Sequence, residues 1–225
     1  MAWLESRRRG FQIGTEPGHV VPIVPTAVIF DLRAGGDFSR RPDAEFGRRA
    51  AAAARTRPVR QGTVGAGTGA HAAALKGGVG SASVVLDSGV TVAALVVLNS
   101  GGSPVNPVTG ELWGARYGID DEFARLRRPS RADLRGFLAI PWPPVESSTT
   151  LAVVATDAEL TKAECSRVAV AGHDGMARAI SPIHTYTDGD VVFTLATGEL
   201  PVPPAPSDGF IRPALARFTE LAPII

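Results

Sequence analysis

From Thr149 to Thr156 the chain reads Thr-Thr-Leu-Ala-Val-Val-Ala-Thr. This short apolar and β-branched run between polar residues predicts a strand. Two more such runs, Ser81 to Leu86 and Val90 to Leu98, are joined by Asp87-Ser88-Gly89. A short connection ending in Gly predicts a hairpin. Val191 to Thr197 predicts a further strand, entered by a turn around Gly189 that spans His184 to Asp190. Nearer the start, Val20 to Val24 and Ala27 to Leu32 are apolar and β-branched with turn residues between them, and both predict strands.

Helical patterning is sparser. Residues 2 to 9 read as the tail of a helix ended near Gly10, and Asp43 to Ala54, rich in Ala and Arg, reads as a second helix. Thr161 to Ile180 is the longest; Thr161 stands as N-cap with Glu164 three residues on, the capping-box pattern. Arg212 to Leu221 predicts a short final helix after a loop rich in Pro from Pro201 to Pro206. Asn99 to Asp120 reads as loop, and residues 121 to 148, ending Pro141-Trp142-Pro143-Pro144-Val145-Glu146-Ser147-Ser148, as an exposed linker. No internal repeat is visible. Hairpin strands with separate long helices predict an α+β fold, with helices layered on a mostly antiparallel sheet.

Composition narrows the function classes without choosing one. An apolar fraction of 44% and a charged fraction of 20% are those of an ordinary globular chain, and 225 residues are compatible with one large domain. Lys plus Arg number 23 against 22 Asp plus Glu, which offers no electrostatic reason for nucleic acid or a membrane surface as partner. No apolar run approaches the ~20 residues needed to span a bilayer. Met1 to Arg9 has basic residues but no apolar core after them, unlike a secretory leader. The single Cys165 cannot pair within the chain, which favours a reducing compartment. A cytoplasmic protein is the expectation.

Two candidate chemistries fail on spacing. Gly65-Ala66-Gly67-Thr68-Gly69 is followed by Ala70-His71, where a phosphate-binding loop needs Gly-Lys-Ser/Thr. It reads instead as a tight turn where backbones come close. His19, His71, His173 and His184 are scattered and form no metal-ligand pair. A third chemistry sits at Ser148-Thr149, where the proline-rich linker runs into a strand that opens with hydroxyl side chains. If the bond before Thr149 were cut, one residue would carry a hydroxyl and a free α-amine. An α-amine with an ordinary pKa of about 7.7–8.0 can take the hydroxyl proton, so nucleophile and base would coincide. Taken alone, Thr-Thr opening a strand is commonplace.

What singles the junction out is a resemblance. Thr149 to Ala158, Leu160-Thr161-Lys162-Ala163, His173 to Thr185, Asp188-Gly189-Asp190 and Phe193 resemble the L-aminopeptidase/D-esterase family. That family includes the β-peptidyl aminopeptidases and the nylon-oligomer endohydrolases. Pro22 to Pro25, Ala27 to Leu32, Gly65 to Ala70 and Lys76 to Ser83 match too, in family order. The resemblance implies a four-layer αββα sandwich of the N-terminal-nucleophile type. It also implies a single self-processing domain over 1–225, cut into parts 1–148 and 149–225 that stay together. Thr149 would be the nucleophile, with Ser148 and Thr149 flanking the cut. Asp188 and Asp190 would hold and polarise its amine and hydroxyl, a use for paired carboxylates beside an ammonium. Asn99 would donate its side-chain amide to the oxyanion. Lys76 lies near the family's active-site lysine, although the simplest alignment of the Gly65 motif puts Ala74 there. Phe30 stands where some members have Tyr, and a phenyl ring cannot donate a hydrogen bond. Ser148 stands where some have Asn.

The expected function is therefore an amidase or aminopeptidase that needs no cofactor, acts on a peptide or small amide through an acyl-enzyme, and assembles as a homo-oligomer. A second reading is an acyltransferase of the ornithine acetyltransferase type, which also uses a self-generated Thr. A third is an inactive truncated paralogue acting as a non-enzyme. The family carries strands of its central sheets and a Gly-Gly-Ser stretch before the position matching Met1, so the chain reads as truncated at its N-terminus.

Overall fold

The structure, a computed structural model, describes residues 1–32, 35, 37–141 and 147–202. The chain divides into two units, Met1–Val28 with Gly35–Val59, and Ile29–Ala34 with Arg60–Ile225. In the first unit, α1 (Ala2–Glu5) is one turn, with the Arg7 guanidinium 3.9 Å from the centre of the Trp3 ring. β1 (Phe11–Gln12) pairs antiparallel with β2 (Val20–Val21). α2 (Ala44–Ala53) starts where the Asp43 carboxylate accepts the Phe46 N–H, which satisfies one of the helix's orphan donors.

Three early expectations are corrected here. The helix expected over residues 2–9 ends at Glu5. The strand expected over Val20 to Val24 stops at Val21, because Pro22 has no N–H to give a ladder. Ala27 to Leu32 belong to none of the strands among the described residues. A β-branched run becomes a strand only where a partner completes its hydrogen bonds.

The second unit opens with a 3₁₀ turn over Gly65–Gly67 and the small antiparallel ribbon of β3 (His71–Ala72) and β4 (Leu75–Lys76). A Cβ on Gly67 would stand 2.8 Å from the Gly78 backbone, so this glycine stretch does bring two backbones together. β5 (Gly78–Val85) and β6 (Thr91–Leu98) then form the expected hairpin, closed by Leu86 N–H to the Val90 carbonyl with Gly89 at φ +85°. α3 (Arg131–Ala139) follows, inside the stretch expected to be linker. Its cause is local: the Ser130 hydroxyl and the Asp133 carboxylate make a reciprocal capping box. Residues 142–146 of that linker, and the final helix expected over Arg212 to Leu221, lie outside the described residues.

β7 (Leu151–Ala158), α4 (Lys162–Ala179) and β8 (Val191–Leu200) complete the unit. The sheet order is β5-β6-β7-β8, antiparallel except for the β7–β8 pair. A parallel pair needs a crossover, and α4 supplies it. α4 begins at the predicted capping box of Thr161 and Glu164. β7 alternates between half-buried and buried positions, and its Ala152, Val154 and Ala158 meet Val92, Val192 and the Val168, Met176 and Ile180 side chains from the α4 segment. This mixed sheet with its helical cover is α+β, in keeping with the sandwich architecture that the resemblance implies. Among the described residues, no helix is long and apolar enough to cross a membrane.

Candidate active site

Three chain segments meet where β7 begins: the residues after β6, those around Ser148 and Thr149, and the loop that enters β8. The first is held open by a glycine. A Cβ on Gly77 would fall 1.9 Å from the Leu98 carbonyl oxygen, so only glycine lets the β3–β4 ribbon lie on the end of β6. From that ribbon the His71 N–H donates to Asn99 Oδ1 at 3.0 Å, and Ala73 N–H donates to the Ser100 carbonyl at 3.0 Å. Asn99 is 4% exposed; its Nδ2 donates to the Phe30 carbonyl at 3.2 Å.

The junction docks between this edge and the β8 loop. Thr149 N–H donates to the Asn99 main-chain carbonyl at 2.7 Å. Ser148 N–H donates to the Thr187 carbonyl at 3.0 Å, and Gly189 N–H donates back to the Ser148 carbonyl at 2.8 Å. The Thr149 hydroxyl also donates to that Ser148 oxygen, at 2.7 Å. The carbonyl before Thr149 thus carries two donors, which draw electron density toward oxygen. Gly189 is close-fitting, since a Cβ there would lie 3.1 Å from Thr149 Oγ1.

The two carboxylates brace this arrangement from either side. Asp188 Oδ1 accepts Gly101 N–H at 3.1 Å, while its Oδ2 accepts Thr185 N–H at 3.0 Å and the Thr185 hydroxyl at 2.8 Å. Asp190, with a side chain only 2% exposed, accepts Thr150 N–H on Oδ1 at 2.7 Å and lies 2.7 Å from His184 Nδ1 through Oδ2. In the uncut chain the Thr149 hydroxyl points to Ser148 and the carboxylates grip its neighbours. Thr150 is fully buried, and its hydroxyl has no hydrogen-bond partner among the described residues.

The expected residues therefore gather unequally. Ser148, Thr149, Asn99, Asp188 and Asp190 form one hydrogen-bonded neighbourhood. Lys76 sits exposed on β4 opposite His71, with no hydrogen bond to the junction among the described residues. Sequence reasoning missed the layer behind Asp190. His184 adopts a left-handed φ of 54°, and its ring meets that of His173 edge-on, 4.8 Å between centres. Burial, reinforced by the neighbouring His184, pushes the His173 pKa below the ordinary imidazole value; Asp190 and Asp174 oppose that shift. His184 stood within a segment already matched, six residues before Asp190, and that offset was its only signal. Among the described residues no group of three or more His, Cys, Asp or Glu gathers as a metal site would require.

Comparison with known proteins bears on what such a junction does. The sequence model described as peptidase family S58 matches residues 1–222. An uncharacterized aminopeptidase of Mycobacterium leprae is 50% identical over 226 residues, covering 94% of this chain and 60% of that protein. A 6-aminohexanoate-oligomer endohydrolase of a Kocuria species is 31% identical over 82% of this chain and 52% of its own length. Among solved structures, a Burkholderia β-aminopeptidase superposes with a TM-score of 0.51 at 31% identity, covering 80% of this chain and 48% of the other. The chain spans about 60% of the length of the mycobacterial relatives that it matches.

Proposed function

This chain belongs to peptidase family S58, and from that membership we propose that it cuts its own backbone between Ser148 and Thr149 and then hydrolyses amide bonds with the freed Thr149. The observation that carries the reading is the Ser148 carbonyl, which receives Gly189 N–H at 2.8 Å while the Thr149 hydroxyl stands 2.7 Å from the same oxygen. In the cutting step Thr149 Oγ1 bonds to the Ser148 carbonyl carbon, its proton passes to the Thr149 nitrogen, and the carbon–nitrogen bond breaks. Water then opens the resulting ester, leaving a Ser148 carboxylate and a Thr149 that carries both hydroxyl and amine. In turnover the amine takes the hydroxyl proton, Thr149 attacks the substrate carbonyl, and water releases the acyl group.

The roles follow from position. The Asn99 main-chain carbonyl already receives the Thr149 nitrogen and would keep the new amine pointed inward. The Asn99 amide is the oxyanion donor assigned by resemblance, and reaching a substrate would require its second N–H or release of Phe30. Asp188 and Asp190 supply negative charge beside the ammonium that forms. Lys76, exposed on its ribbon, would act only if a substrate bridged to it. Substrates are peptides or small amides, and the names of the relatives, an aminopeptidase and a 6-aminohexanoate-oligomer endohydrolase, point to amino-terminal or oligomeric amides. The two parts, 1–148 and 149–225, would stay joined through the sheet. The protein is further read as a cytoplasmic homo-oligomer, which light scattering would test.

Denaturing mass spectrometry tests the reading. The expected result is two pieces from the wild-type chain, an intact 23.4 kDa chain from Thr149→Ala, and normal cutting in Thr150→Val. The Thr150 substitution is the control for nucleophile identity, because its buried hydroxyl can be exchanged for a methyl of like shape at little cost. An intact wild-type chain, or a cut Thr149→Ala, overturns it.

A further inference from the structure

His184 has no part in the cutting step described above, yet its Nδ1 lies 2.7 Å from Asp190 Oδ2, the one side-chain hydrogen bond to that oxygen among the described residues. We propose that His184 is a positioning residue for the junction: through Asp190 it fixes the main chain at Thr150, one peptide unit beyond the bond to be cut. The inference rests on the self-cutting reading for its consequence, and on geometry alone for the positioning.

The geometry begins with an interrupted ladder. Ser148 N–H goes to the Thr187 carbonyl and Gly189 N–H to the Ser148 carbonyl, the two bonds of a parallel bridge. A regular parallel ladder would next take Thr150 N–H to the Gly189 carbonyl. Asp190 Oδ1 receives that N–H instead, and the ladder resumes with Val191 N–H to the Thr150 carbonyl. A side chain thus replaces one main-chain rung beside the scissile bond. The alignment of Thr149 against Gly189 then depends on where the Asp190 carboxylate points.

His184 sets that direction. With Asp190 only 2% exposed at its side chain, water has little access to replace a lost partner, so the carboxylate would swing toward solvent and draw Oδ1 from Thr150. His184 is itself held on two sides. Its backbone sits in the left-handed region, which histidine tolerates better than most residues, and its ring packs edge-on against His173 of α4. α4 thereby reaches the junction in three steps, from His173 to His184, from His184 to Asp190 and from Asp190 to Thr150 N–H.

Amide hydrogen exchange on the full 225-residue chain tests this, measured in a Thr149→Ala background so that the junction stays uncut in every sample. His184→Ala should speed exchange of the Thr150 amide by about tenfold or more, with Val154 in mid-β7 unchanged. His184→Asn, whose amide can stand where Nδ1 does, should restore protection. With Thr149 present, the same two variants should slow cutting and restore it, in parallel. Unchanged Thr150 exchange in His184→Ala overturns the proposal, as does a His184→Asn chain no better protected than the Ala one. If His184→Ala loosens Val154 too, the Asn variant decides on the same criterion. A wild-type chain that is never cut defeats the self-cutting reading, and the exchange result still settles whether His184 positions Thr150.

Discussion

The main-chain nitrogen of Thr149 donates to the main-chain carbonyl of Asn99 across 2.7 Å. The peptide bond proposed to break is therefore tied to the strand beside it through the atom that becomes the new amine. After cutting, that nitrogen has no need to search for an orientation, because its acceptor is already in place. On the self-cutting reading Asn99 would contribute twice, once by its carbonyl and once by a side chain held between His71 N–H and the Phe30 carbonyl.

That second contribution is separable. Asn99→Asp keeps the acceptor for His71 N–H but sets a carboxylate oxygen against the Phe30 carbonyl in a site only 4% exposed. A buried acceptor facing an acceptor costs about 1–3 kcal/mol. The expected outcome is a lower urea midpoint and slower cutting than in the wild type, read by denaturation and by mass spectrometry of the same samples.

Gly189→Ala tests the fit at the proposed nucleophile, Thr149. The new Cβ would stand 3.1 Å from Thr149 Oγ1, tighter than an ordinary van der Waals contact. Relief by a few tenths of an ångström would turn the hydroxyl from the Ser148 carbonyl, and misplacement on the scale of 1 Å can cost ~100-fold in rate. Cutting at least about tenfold slower, with little change in melting temperature, is expected. Cutting at the wild-type rate would show that the hydroxyl is not confined by Gly189.

Asp188→Asn probes the brace on the opposite side. Three donors converge on this carboxylate, from Gly101, Thr185 N–H and the Thr185 hydroxyl. An amide offers one acceptor oxygen and turns an NH₂ toward the remaining donors, so a loss of about 1–3 kcal/mol is expected. Faster amide exchange at Gly101 and Thr185 would localise that loss to the brace.

Acid should weaken the fold through His173. Its folded-state pKa lies below the unfolded one because burial disfavours the imidazolium, so between those two values the unfolded chain binds more protons. Stability is then fully present above about pH 6.5 and falls as pH drops toward the depressed value. His173→Gln, which does not titrate, should flatten that acid limb. Melting temperatures of the two chains measured from pH 7.5 down to pH 5 check the sign: their difference must shift in favour of the variant as pH falls.

Local sequence was enough wherever a structure is made by neighbours along the chain. The β5–β6 hairpin, the β7 strand and the α4 capping box at Thr161 and Glu164 were all legible, because a turn glycine, a short β-branched apolar run and a reciprocal cap act within a few residues. α3 was legible in the same way through Ser130 and Asp133, and was overlooked only because prolines and charges around it suggested a linker. Ala27 to Leu32 show the converse: their composition is that of a strand, yet they join none of the sheets among the described residues, and composition alone does not place a run in a ladder. The site divides along the same line. Thr149, Asp188, Asp190 and Asn99 could be named from motif and resemblance. Tertiary structure alone decided that Asn99 meets Thr149 through a carbonyl, that Gly189 polarises Ser148, and that His173 and His184 stand behind Asp190. Main-chain donors and acceptors look alike at every position of a sequence, and only the packing of distant strands selects which of them face one another.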